Sequence, residues 1–285
     1  MNKSYGKALT LDQIVELALA EDIGAGDYTS LSTIPENAMG KAKLLVKEKG
    51  VLSGIEVAAK VFEHVEPAIK MHRLLKDGDQ IKPGDVVFTV EGSSAALLQA
   101  ERLALNFMQL MSGIATYTAR YVEELKGLKT KVIDTRKTTP LLRALEKQAV
   151  IHGGGANHRK GLYDMILIKD NHVDFSGGIR QAIEGANSFL QKNNLSLPIE
   201  IEVRNHNELE EVLAVGKVTR IMLDNFSPAD LKVAVVRIAG QYETEASGGI
   251  TLNTIRSFAE TGVDFISVGA LTHQIKSIDL SLKAF

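Results

Sequence analysis

KVIDTRKTTPLLRALEKQAVIHGGGANHRKGLYDMILIKDNH, from Lys131 to His172, decides how this chain folds and where its chemistry sits. Two short apolar runs within it, Lys131–Asp134 and Met165–Ile168, read as strands, and each ends on charge. Arg136-Lys137 follow the first and Lys169-Asp170 the second, while the glycine-rich connection between them carries His158 and Arg159. The stretch holds eight lysines and arginines against four aspartates and glutamates, in a chain whose formal charge is −2. Cations gathered at strand ends on a weakly acidic protein point to a site for a small polyanion. A nucleic-acid groove would colour a whole face instead.

Downstream, strand and helix signals alternate. Strand-like runs end near Asp134, Lys169, Val203, Leu223, Ser247 and Val268. Helices fit between them at Pro140–Ala149, Gly177–Gln191, His206–Val215, Pro228–Ala239 and Leu252–Thr261. Such alternation predicts a parallel sheet with crossover helices, at the spacing of a (β/α) barrel. Six strands are plain and a seventh or eighth is not, so the barrel is expected to be incomplete or irregular.

Upstream the pattern is mixed. Thr10 caps a predicted helix over Leu11–Ala20, and EDIGAGDYTS ends it. Strands are predicted at Ala42–Lys47 and Ala68–Leu75, with a helix over Ile55–Val65 between them. Lys76–Gly92 has two turn signals, Asp77-Gly78 and Pro83-Gly84, as in the hairpins of biotinyl carriers, but lacks the modifiable lysine at the tip. Ala95–Lys126 is helical and too apolar to face water, with a break expected at Gly113. A domain boundary is placed near residue 110.

Composition narrows the class. The 285 residues, 45% hydrophobic and 24% charged, suit one large α/β domain or two ordinary ones. There are no cysteines, which excludes disulfides, thiolate nucleophiles and cysteine-ligated metals. No apolar run approaches the roughly 18 residues of a membrane span, and the charged N-terminal residues do not read as a secretory signal. The pI near 6.4 gives no reason to expect nucleic acid or a membrane surface as partner. The expected location is cytoplasmic.

Barrel chemistry lies at the C-terminal strand ends. Here those ends are Thr135-Arg136-Lys137, Lys169-Asp170-Asn171, Glu202-Val203-Arg204, Asp224-Asn225, Ser247-Gly248-Gly249 and Val268-Gly269-Ala270. Burying unpaired charge costs several kcal/mol, so a purely structural barrel has no reason to place Lys, Glu and Asp there. The two glycine-containing ends, after the last two strands, suit a phosphate held by backbone N–H groups; the bland alternative is that small residues merely allow tight turns. Glu202 and Asp224 become candidates for sugar hydroxyls or a magnesium ion, which favours one or two carboxylates plus substrate phosphates. HGGG at His152–Gly155 would suggest a lipase oxyanion hole, but no GxSxG elbow accompanies it, nor is there a P-loop or an HExxH.

At these residues the chain resembles the quinolinate phosphoribosyltransferases, the decarboxylating nicotinate-nucleotide pyrophosphorylases of NAD synthesis. The similarity runs in order through EDIGAGDYTS, ERLALNFMQLMSGIAT, DTRKTTP, GGGANHRKGL, LIKDNH, IEVR, MLDN, EASGGI and GVDFISVGALTH. Two positions depart from it: Leu141, where the family pattern has glycine, and Ile151-His152 before the glycines. The resemblance implies an α/β N-terminal domain (1–110) plus an incomplete, seven-stranded α/β barrel (111–273) of the type II phosphoribosyltransferase kind. The C-terminal tail, about 274–285, would return to the first domain. It also implies a homodimer or multiple of dimers, in which Arg102 of one chain serves its partner's site.

The implied reaction joins quinolinate to phosphoribosyl pyrophosphate with magnesium, giving nicotinate mononucleotide, pyrophosphate and carbon dioxide. Arg102, Arg136 and Arg159 can offer planar forks to the two ring carboxylates, with His158 and Lys137 as further donors. Lys169 can reach a carboxylate and the phosphoribosyl group. Glu202 and Asp224 can stabilise positive charge at the anomeric carbon and hold magnesium, directly or through water. Thr135 and the segments Ser247–Gly249 and Val268–Ala270 complete the substrate-binding set. Two rivals stand beside this: a related phosphoribosyltransferase with another acceptor, and a Schiff-base lyase using Lys169.

Overall fold

A computed structural model describes residues 9–285. The chain forms two compact units. The first comprises the described residues up to Tyr117 together with Thr139–Gly153 and Ile275–Phe285; the second comprises Thr118–Thr138 and Gly154–Gln274.

The first unit opens with α1 (Leu11–Ile23), started by a capping box in which Thr10 and Gln13 exchange side-chain and backbone hydrogen bonds. Then come α2 (Tyr28–Thr33), β1 (Met39–Val46), β2 (Gly50–Val51) and α3 (Ile55–Val65). In α3, Ile55, Val57, Ala58, Val61 and Phe62 are buried, as an amphipathic helix requires. β3 (Lys70–Arg73), β4 (Gln80–Ile81) and β5 (Val86–Ser93) follow, and then α4 (Ser94–Glu124). β3 is shorter than the predicted Ala68–Leu75, because Leu74 and Leu75 both turn their amides onto the Val87 carbonyl. The α4 helix is continuous through Gly113, where a break was expected. A Cβ there would lie 2.5 Å from the Lys276 carbonyl oxygen, so the glycine serves close packing rather than a hinge.

The second unit contains β6 (Lys131–Ile133), β7 (Ile166–Ile168), β8 (Ile199–Val203), β9 (Arg220–Asp224), β10 (Glu243–Ser247) and β11 (Phe265–Ser267). They form one six-stranded parallel sheet in the order β6-β11-β10-β9-β8-β7. A single parallel bridge, Ile133↔Ala156, stands on the other side of β6 in place of a further full strand. Parallel pairing demands crossovers. In chain order the helices are α5 (Arg143–His152), α6 (Asp170–Ser176), α7 (Ile179–Lys192), α8 (His206–Val215), α9 (Pro228–Ile238), α10 (Ile255–Ala259) and α11 (Ala270–His273). Although α5 follows β6 in sequence, it belongs to the first unit, where His152 Nδ1 lies 2.8 Å from Ser53 Oγ. The last strand, β12 (Leu280–Ala284), pairs antiparallel with β1 and completes a sheet of order β12-β1-β5-β3.

Candidate active site

All five residues of β8, IEIEV, are buried. Period-two alternation turns Ile199, Ile201 and Val203 to one side of the sheet and Glu200 and Glu202 to the other. Registers place Arg220 between Glu200 and Glu243, and Ser247 beside Asp224, so these residues share the glutamate side. One face of the sheet is therefore charged along its whole height, from Arg220 at the strand starts to Glu202, Asp224 and Ser247 at the strand ends.

At the strand ends, Lys169 follows β7 and its Nζ lies 3.2 Å from Glu202 Oε2. Burial raises the Glu202 carboxyl above its ordinary range; the charges of Asp224 and Asp170 push the same way and Lys169 opposes them. Asn225 follows Asp224 in the left-handed region at φ 56° and donates from Nδ2 to Asp224 Oδ2 at 2.6 Å. Gly248 has φ +101°, and a Cβ on it would fall 2.2 Å from Asn225 Oδ1, so only glycine fits beside this asparagine.

The end of β6 is fixed by Asp134, fully buried, which accepts the His158 backbone N–H at 2.9 Å. Thr135 Oγ1 accepts the Lys137 N–H at 3.0 Å, and the Lys137 carbonyl accepts Thr272 Oγ1 at 2.7 Å. A Cβ on Gly269 would lie 2.9 Å from Lys137 Cδ, so the lysine stem runs over the glycine turn after β11. Arg159 donates from one guanidinium nitrogen to the Met165 carbonyl at 3.3 Å. Burial, and after it the neighbouring Arg136 charge, pull the Arg159 guanidinium below its ordinary range. Two guanidiniums held in each other's field make a place that favours an anion.

The second unit thus brings together Lys169, Glu202 and Asp224, sets Ser247 and Gly248 against Asp224-Asn225, and joins Lys137 to Gly269. Two details differ from the sequence reading. The Val268 side chain is in the core and its N–H is already donated to the Ile133 carbonyl, leaving it no donor for a phosphate. Ala270 begins a helix of four residues, too short to add a useful dipole. Arg102 lies on α4, exposed, in the first unit.

Sequence reasoning missed Glu200, Arg220 and Glu245. His158 Nε2 lies 2.9 Å from Glu200 Oε2 and 3.5 Å from Glu245 Oε2. Arg220 reaches Glu245 at 3.1 Å and Glu243 at 3.0 Å and stacks 4.0 Å from the Phe265 ring centroid. Burial raises both carboxyls, and the like charge of Glu200 helps push Glu245 up to about 8. Glu200 Oε1 and Oε2, Glu245 Oε1 and His158 Nε2 are all buried without a hydrogen-bond partner. The signal was present in IEIEV and ETEAS, where glutamates alternate with residues of core character.

A parallel α/β sheet with guanidiniums, ammoniums and carboxylates converging on its strand ends defines an enzyme-type site for a small, multiply charged anion. The quinolinate phosphoribosyl transferase N-terminal domain matches residues 27–112, and the C-terminal domain of the same family matches residues 114–283. The chain belongs to the quinolinate phosphoribosyl transferase family. It is 44% identical to the chloroplastic nicotinate-nucleotide pyrophosphorylase [carboxylating] of Arabidopsis thaliana, over 96% of this chain and 82% of that one. It is 41% identical to a probable nicotinate-nucleotide pyrophosphorylase of Bacillus subtilis, over 96% and 93%. Among solved structures, NadC of Streptococcus pyogenes superposes with a TM-score of 0.91 at 41% identity, covering 98% of each chain. The nicotinate-nucleotide pyrophosphorylase of Francisella tularensis gives 0.91 at 39% identity, covering 100% of each.

Proposed function

We propose that the chain transfers phosphoribose from phosphoribosyl pyrophosphate to quinolinate with decarboxylation, yielding nicotinate mononucleotide, pyrophosphate and carbon dioxide for NAD synthesis. The observation that carries this is the pair Arg136 and Arg159, two guanidiniums near enough to feel each other's charge, to which a ligand with adjacent carboxylates could offer one group each. The family relatives, named for this activity, support it.

The chemistry needs no side-chain nucleophile. The pyridine nitrogen attacks the anomeric carbon as the bond to pyrophosphate breaks, and positive charge builds on the ribose. Glu202 and Asp224 stabilise that charge; Lys137 and Lys169 hold negative oxygens of the substrates. The adjacent ring carboxylate then leaves as carbon dioxide, its bonding pair remains on the carbon next to the pyridinium nitrogen, and that carbon takes a proton.

Glu202 and Asp224 also fit a magnesium ion. Burial raises Glu202 and the charges of Asp224 and Asp170 add to it, with the Lys169 ion pair set against them. Magnesium, when bound with the pyrophosphate, neutralises leaving-group charge. The proposed setting is the cytoplasm; among the described residues no helix is long and apolar enough to cross a membrane. The proposed assembly is a homodimer or a multiple of dimers, with Arg102 completing the partner's site. Mixing inactive Arg102→Ala and Lys169→Ala chains under subunit exchange should then restore activity.

The deciding experiment incubates the chain with quinolinate, phosphoribosyl pyrophosphate and magnesium and follows nicotinate mononucleotide and carbon dioxide. Absence of both products overturns the proposal. Borohydride trapping of a carbonyl substrate on Lys169 would replace it with the lyase.

A further inference from the structure

Two carboxylates stand at the ends of adjacent strands, Glu202 on β8 and Asp224 on β9. They are held by different means. Glu202 faces the ammonium of Lys169, a charge that an arriving substrate would also draw on. Asp224 Oδ2 instead accepts Nδ2 of its neighbour Asn225 at 2.6 Å. A carboxylate can only accept, so the nitrogen of the carboxamide, and not its oxygen, must face it.

The turn that carries Asn225 is fixed on every side. Its φ of 56° lies in the left-handed region, which asparagine enters more readily than most side chains. Its backbone N–H donates to the Ser247 carbonyl at 2.9 Å, carrying the β9–β10 ladder one residue past Asp224. Phe226, which follows, is buried, and the His206 ring meets it edge-on at 5.3 Å. Ser227 then caps α9, its Oγ accepting the Asp230 N–H at 3.2 Å. From the end of β10, Gly248 borders the carboxamide: a Cβ there would lie 2.2 Å from Asn225 Oδ1 and 3.0 Å from its backbone nitrogen. The need for glycine at 248 is thus explained by Asn225 before any phosphate is considered.

We propose, on the quinolinate reading, that Asn225 is a positioning residue whose Nδ2 fixes the Asp224 carboxylate by one oxygen and leaves the other for the ribose or its magnesium, with Gly248 making room for the carboxamide. The donor is neutral. It orients Asp224 without cancelling the negative charge that a positive ribose calls for, as an ammonium in its place would. Two other roles predict different behaviour. A side chain that touched the substrate itself would act without Asp224, and one that only shaped the turn could be replaced by glycine without loss.

The test uses the full chain. Asn225→Gly keeps the left-handed turn and deletes the carboxamide. Its kcat/KM for phosphoribosyl pyrophosphate should fall about tenfold, the scale of losing one charge-assisted hydrogen bond. The quinolinate dissociation constant should stay within about twofold. Asn225→Asp keeps the shape but turns an acceptor toward Asp224, and should lose at least as much. In an Asp224→Ala background, Asn225→Gly should cost less than about twofold, because nothing is left to orient. Should that background turn over too slowly to follow, phosphoribosyl pyrophosphate dissociation constants complete the same cycle. Independently of any substrate, one side-chain amide proton of Asn225 should resonate downfield, and Asp224→Ala should abolish that shift. A folded Asn225→Gly with wild-type kinetics, an Asn225→Asp as active as wild type, a loss that persists without Asp224, quinolinate weakened to the same extent, or an amide resonance indifferent to Asp224→Ala would each overturn the proposal. A wild-type chain that makes no nicotinate mononucleotide would fail the functional reading instead, with the amide resonance still reading the contact between Asn225 and Asp224.

Discussion

Lys169 Nζ stands 3.2 Å from Glu202 Oε2, an ion pair joining the ends of adjacent parallel strands. About half of the lysine side chain is exposed, so the pair adds little to stability, at most about 1 kcal/mol. In the proposed reaction its value is to hold an ammonium where substrate oxygens would arrive. Lys169→Ala should therefore lose activity by at least about a hundredfold, as removal of two charge-assisted hydrogen bonds at roughly 1.5–3 kcal/mol each implies. The melting temperature should barely move. A variant that melts much earlier yet turns over normally would make the pair structural.

Glu245 predicts a pH effect on stability. Its carboxyl is raised from 4.5 to about 8, by burial first and then by the charge of Glu200. A raised carboxyl keeps its proton in the folded chain while the unfolded chain ionises. Its stabilising contribution is complete below pH 4.5 and is lost as pH rises toward about 8. Glu245→Gln cannot ionise and escapes this loss. The difference in melting temperature, variant minus wild type, should grow across that window. Parallel curves would show that Glu245 does not titrate there.

Backbone geometry gives opposite predictions at two positions. Leu141 sits at φ 68° and is 72% exposed, at the position where the family resemblance led us to expect glycine. Leucine in the left-handed region costs roughly 1–2 kcal/mol, partly offset by glycine's greater freedom when unfolded, so Leu141→Gly should stabilise by up to about 1 kcal/mol. Gly113→Ala would gain about 1 kcal/mol of helix propensity. Its Cβ would nevertheless meet the Lys276 carbonyl at 2.5 Å, a backbone atom that cannot easily yield. Crowding of this kind costs roughly 1–3 kcal/mol, so the net effect should be destabilising. Chemical denaturation of both variants settles the signs.

The strand-end site was legible because its members are neighbours in sequence: Thr135-Arg136-Lys137 and Lys169-Asp170 each sit on one turn. The parallel sheet was legible for a related reason, since periodicity is local. The group beneath the site was not. His158, Glu200, Arg220 and Glu245 come from three strands and a loop, and only the registers Glu200↔Arg220 and Glu245↔Met222 bring them together. Nor could the continuity of α4 be read, because Gly113 is explained by Lys276, far along the chain. The allegiance of α5 likewise depends on Ser53, which lies in the other direction.

The final prediction concerns substrate choice. Arg159 is partly desolvated and lies in the field of Arg136, with the charges of Glu200 and Asp164 opposing both, and its guanidinium stays below its ordinary range, a setting that favours an arriving anion. One carboxylate can satisfy one fork; two adjacent carboxylates can satisfy both. Nicotinate lacks the carboxylate next to the ring nitrogen, so one guanidinium would have no carboxylate of the substrate to hold when it binds. A charge-assisted hydrogen bond contributes roughly 1.5–3 kcal/mol, so kcat/KM for nicotinate should fall at least about tenfold below that for quinolinate. Arg136→Ala should narrow this ratio, because it removes the repulsion together with one fork. The measurement is kcat/KM for both acids at fixed phosphoribosyl pyrophosphate, in wild type and variant. Equal turnover of the two acids by the wild type would mean that the second guanidinium does not read a carboxylate at all.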